Sequence, residues 1–70
     1  MTARELRVAC AILQMSYADM ARYLGKSSGA VQRWAVGKHP VPYMAEKLVN
    51  QLLEEHERGA DEYAKGETAE

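Results

Sequence analysis

Seventy residues, 47% hydrophobic and 27% charged, fit one small globular domain and exclude wholesale disorder. The longest apolar run, Val8 to Leu13, is too short to span a bilayer. It also lies too close to Arg4, Glu5 and Arg7 to serve as a secretory signal. A single cysteine, Cys10, excludes an internal disulfide framework and a cysteine-built zinc site, so the expected setting is a reducing cytoplasm.

The predicted elements are all helical. Thr2 and Glu5 have capping-box spacing and open a first helix whose inward face is Leu6, Ala9, Cys10 and Leu13. Ser16 with Asp19 and then Gly25 bracket a second helix, its apolar side formed by Tyr17, Met20, Ala21 and Leu24. Ser27 caps a short third helix that ends at Gly37, with Ala30, Val31 and Trp34 facing in. Lys38 to Pro42 is a rigid connection containing two prolines. The fourth helix carries Val41, Met44, Ala45, Leu48, Val49, Leu52, Leu53 and His56 along one face and is expected to stop near Gly59. No segment alternates with period two. The expected fold is an all-α bundle of four to five helices over 1–58, with 59–70 an acidic, flexible tail.

Net charge is only −1, but its distribution is uneven. Residues 1–40 carry six basic side chains against Glu5 and Asp19, whereas 41–70 carry three basic and eight acidic ones. Between Arg22 and Pro40 there is no acid. That division points to an anionic partner for the first half.

Ser16 to Trp34 carries the functional signal: two short helices separated by a turn of about three residues containing Gly25, the layout of a helix-turn-helix. Ala21 is small where the helices cross, and Val31 and Trp34 seal the pair. The opposite side of the third helix presents Ser28, Gly29, Gln32 and Arg33. Arg can pair with guanine O6 and N7, and Gln with adenine N6 and N7, in a major groove.

Ser16, Met20-Ala21, Leu24-Gly25, Ser27, Val31, Arg33-Trp34, Gly37-Lys38 and Pro42 make the chain resemble the Cro and lambda-repressor type of helix-turn-helix regulators, the XRE family. The resemblance covers about residues 3–54. It implies a lambda-repressor-like DNA-binding domain with Ser28, Gly29, Gln32 and Arg33 facing bases. Tyr17, Lys26, Ser27, Lys38 and His39 would contact the DNA backbone. Two departures stand out. Tyr17 replaces a frequent Gln, so it either donates its hydroxyl to phosphate or turns inward. Cys10 and Ala35 stand where many members pair an Arg with a Glu; with both partners apolar, no charge is stranded.

Each of these residues also fits a purely structural role. Arg33 and Gln32 could be solvated helix residues, Ser28 a cap, and His39 merely exposed. Trp34 and Cys10 read as core, and Glu54 to Glu57 with Arg58 as a solvated helix end. No nucleophile–base set, phosphate-binding Gly loop or His pair for a metal is present, so neither an enzyme nor a cofactor is expected. Two functions remain open: a sequence-specific regulator of double-stranded DNA, acting as a small phage- or mobile-element-type repressor, and a protein–protein module or antitoxin on the same scaffold. The first implies a homodimer on a palindromic operator. The expected interface is Leu52, Leu53 and His56, with Val8 and Ile12 as a second possibility. Neither a membrane nor a small-molecule substrate is expected.

Overall fold

In the computed structural model, the chain is described over residues 1–68, with side chains described through Gly59. Four helices follow one another: α1 (Ala3–Leu13), α2 (Tyr17–Leu24), α3 (Ser28–Ala35) and α4 (Tyr43–Thr68). The described residues contain no strand, and no helix among them is long and apolar enough to cross a membrane.

The helix starts follow from local chemistry. Thr2 and Glu5 form a reciprocal capping box, the Thr2 amide donating to Glu5 Oε1 at 2.8 Å and the Glu5 amide to Thr2 Oγ1 at 3.1 Å. Ser16 and Asp19 repeat the arrangement at α2. At α3, Ser27 accepts from the Ala30 amide at 3.2 Å. Each cap satisfies amides that the first helical turn leaves without partners.

The first three helix ends share one solution. The chain turns left-handed at Gln14 (φ 55), Gly25 (φ 70) and Gly37 (φ 84). Each time the next amide reaches back five residues: Met15 to the Cys10 carbonyl, Lys26 to Ala21 and Lys38 to Arg33, all at 2.9–3.0 Å. These are Schellman closures, for which glycine is the unstrained residue. Gln14 adopts that conformation with a side chain in place.

The core is Leu6, Ala9 and Cys10 of α1, Met20 and Ala21 of α2, Val31, Trp34 and Ala35 of α3, and Ala45 and Val49 of α4. α2 packs chiefly on α3, while α1 lies against both α3 and α4. Arg7 adds a tie that the sequence did not suggest. Its Nη1 donates to the Ala35 carbonyl at 2.6 Å, fastening α1 to the last turn of α3. At the other end of α1, the Met1 amine lies 3.1 Å from Glu46 of α4.

Two expectations for α4 need correction. The helix does not stop near Gly59 but continues to Thr68. Gly59 and Gly66 each cost only about 1 kcal/mol relative to Ala in a helix, and the Ala, Glu and Lys residues around them favour it. Met44 is not in the core but 67% exposed. It lies about a third of a turn off the Ala45–Val49 line that meets the other helices. His56, expected at a two-fold interface with Leu52 and Leu53, is exposed, one turn beyond those two half-buried residues. A fold-back of the chain through Tyr63 lies outside the described side chains.

Candidate nucleic-acid interface

The connection between α2 and α3 is Gly25-Lys26-Ser27. Gly25 closes α2 and Ser27 opens α3, so the turn has almost no free conformational choice. On α3, Val31, Trp34 and Ala35 are sunk in the core, which aims the opposite side outward. Ser28, Gln32 and Arg33 are exposed there, and Gly29 is half-exposed between them. The four assigned residues therefore share one outward face. That face is polar.

Gly29 and Arg33 are structurally coupled. A Cβ at Gly29 would sit 3.6 Å from Arg33 Nη1, so the guanidinium folds back along the helix over the glycine. This places the positive charge beside the first turn of α3. The Ser28 and Gly29 amides precede the first intrahelical bond there and point along the positive end of the helix.

The flanking residues extend the same surface. Lys26 and Ser27 precede α3 and are exposed. After α3 the chain folds back on it: the amides of Lys38 and His39 both donate to the Arg33 carbonyl, at 2.9 and 3.4 Å. Lys38 and His39 are exposed at that end. Among the described residues, no carboxylate lies within ion-pair distance of Lys26, Arg33 or Lys38, whereas Arg22 is partly neutralised by Asp19 at 3.5 Å. Tyr17 is half-buried and packed against the core, the inward one of its two readings. Leu52, Leu53 and His56 belong to α4 and are not part of this face.

Some neighbouring features carry no sequence signal. Val36, Tyr43 and Met44 are each more than 60% exposed around the α3–α4 connection. Lys47 Nζ lies 5.7 Å above the Tyr43 ring, a cation–π contact at the start of α4. Their exposure depends on how the connection turns after Gly37, which residue identities alone do not fix.

Among the described residues, the titratable groups with shifted values are Glu5, Asp19 and Cys10. The Thr2 amide and hydroxyl hold the Glu5 carboxyl below the usual carboxylate range, and the Ser16 amide and hydroxyl do the same for Asp19. Both carboxylates belong to caps. Burial pushes the Cys10 thiol up, away from thiolate chemistry. A depression of about 490 Å³ runs along α4 between Lys47 and Arg58, but a single helix lines it and charged side chains dominate. It is helix surface. No protein-family model, curated protein or solved structure matches the chain.

Proposed function

We propose that the protein is a sequence-specific regulator that binds double-stranded DNA through a helix-turn-helix formed by α2 and α3, in a lambda-repressor-like domain of XRE type. The observation that carries the reading is the outward face of α3. Ser28, Gly29, Gln32 and Arg33 lie together on it, with Lys26 at one end and Lys38 and His39 at the other.

In this reading α3 enters the major groove. The Arg33 guanidinium donates two bonds to guanine O6 and N7, and the Gln32 amide pairs with adenine or an adjacent base. Gly29 lets the helix backbone come close to the base edges. Lys26, Ser27, Lys38 and His39 hold phosphates and set the register without reading sequence. Arg7 is a positioning residue, because its bond to the Ala35 carbonyl fixes α3 on α1. Repression by operator occupancy needs no cofactor and no reaction.

A salt titration on random duplex DNA tests the class of function. Phosphate neutralisation gives a negative log–log slope of about 0.9 per contact. No binding at low salt would leave the protein–protein reading, which the eight acidic residues after Val41 favour.

A further inference from the structure

The backbone of α3 has no need of its glycine. Gly25 and Gly37 take positive φ at helix ends, whereas Gly29 has ordinary helical backbone in the first turn, where most other residues favour the helix more. Packing does not require it either. Apart from its chain neighbours and its own helix backbone, a Cβ at Gly29 would have one atom within 4 Å, Arg33 Nη1 at 3.6 Å. Long side chains on a helix run back over the preceding turn, and Arg33 follows Gly29 by four residues. The backbone beneath Arg33 is pinned, because its carbonyl accepts from the Lys38 and His39 amides and the neighbouring Trp34 is buried. Among the described residues no carboxylate lies within ion-pair distance of the guanidinium to draw it elsewhere. What sets its place is the open space over Gly29.

On the proposed DNA-binding reading, we infer that Gly29 is a positioning residue. It seats the Arg33 guanidinium at the first turn of α3, so that Arg33 reads a guanine next to the base pair that Ser28 meets. Ser28 and Arg33 lie about 7.5 Å apart along the helix axis. With α3 along the groove, a side chain projecting straight out from Arg33 would reach roughly two base-pair steps from Ser28. Folding back over Gly29 removes most of that offset. Glycine has no side chain with which to read a base, so the Gly29–Arg33 row addresses a single guanine, through Arg33 alone. The neighbouring Ser28–Gln32 row carries a reader at each end. A long side chain at position 29 takes the seat and lifts the Arg33 fork away from that base.

Gly29→Leu in the full chain tests this, since leucine is a good helix former and cannot hydrogen-bond a base. Competition among duplexes that differ from the wild-type selected site at one base pair gives the preference at each position. For Gly29→Leu the guanine preference that Arg33→Ala abolishes is expected to fall by about tenfold or more. Preferences at the other positions are expected to stay within about twofold, and the salt slope and the melting temperature not to fall. Ser28→Ala is expected to remove selectivity at the base pair adjacent to that guanine. A guanine preference that survives Gly29→Leu overturns the inference. So does a uniform loss across all positions, a lowered melting temperature, or a Ser28→Ala effect anywhere but the adjacent base pair. In each of these cases the wild type still selects a sequence and the DNA-binding reading stands. A wild type that selects no sequence overturns both.

Discussion

Replacing Gly29 by Ala separates folding from recognition, because the two respond with opposite sign. Gly29 lies in the first turn of α3 with ordinary helical backbone, so nothing requires glycine there for conformation. The nearest atom to an added Cβ is Arg33 Nη1 at 3.6 Å, an ordinary van der Waals contact at the end of a flexible side chain. No steric cost offsets the gain in helix propensity, which is about 1 kcal/mol in a helix interior and somewhat less near a terminus. For a domain of this size, ~0.5–1 kcal/mol raises Tm by roughly 2–8 °C. Recognition moves the other way. If the α3 backbone approaches base edges at Gly29, the methyl group holds the helix off and disturbs the Arg33 fork above it. A tenfold loss of affinity, about 1.4 kcal/mol, is expected on the preferred site. Thermal melts by circular dichroism and fluorescence anisotropy with labelled duplex read the two quantities on one preparation. A Gly29→Ala protein that is more stable yet binds as tightly as wild type would refute the close backbone approach. A lower Tm would refute the strain-free helical placement of Gly29.

Arg33→Ala should lower affinity for the preferred site by about 1–3 kcal/mol and relax selectivity at one base pair, whereas Lys38→Ala should weaken all duplexes alike and reduce the salt slope by roughly 0.9. Equal losses on specific and random DNA for Arg33→Ala would move it to a phosphate role. Trp34→Ala should unfold the domain, since losing that buried ring costs about 3–5 kcal/mol in a fold with little reserve; a cooperative melt of this variant would contradict its place in the core. Gln14→Gly should stabilise by roughly 1 kcal/mol, because Gln14 carries a side chain at φ 55 where glycine is unstrained; an unchanged or lower Tm counts against that strain. Glu5 and Asp19 have depressed folded-state values, so their capping contribution is complete above the usual carboxylate pKa and is lost as pH falls through the lowered one. Tm should therefore drop below about pH 4, and less steeply in a Glu5→Gln, Asp19→Asn double variant.

The parts legible in the sequence are those decided within one helical turn. Thr2 with Glu5, Ser16 with Asp19, and Ser27 each bond to an amide three residues away, so their spacing alone marks the helix starts. Gly25 and Gly37 mark ends because closure needs positive φ. The outward face of α3 was legible for the same reason, since Val31 and Trp34 fix the inward side by periodicity. What escaped depends on contacts between elements. Gln14 turns left-handed without a glycine signal, and Arg7 finds a carbonyl 28 residues away. Met44 obeys the apolar period of α4 but falls outside the arc that α1 to α3 can cover. Gly59 does not end α4, because a helical glycine costs only about 1 kcal/mol and Ala60, Glu62, Ala64 and Lys65 favour the helix.

On the proposed function, the outward face of α3 reads DNA sequence. Selection of bound duplexes from a random pool tests it most directly, run in parallel with wild type and with Arg33→Ala. The expected result is enrichment of a short motif containing a guanine, with information lost at that position in the Arg33→Ala pool. A wild-type pool that stays random after repeated rounds, or a motif unaffected by Arg33→Ala, would contradict it.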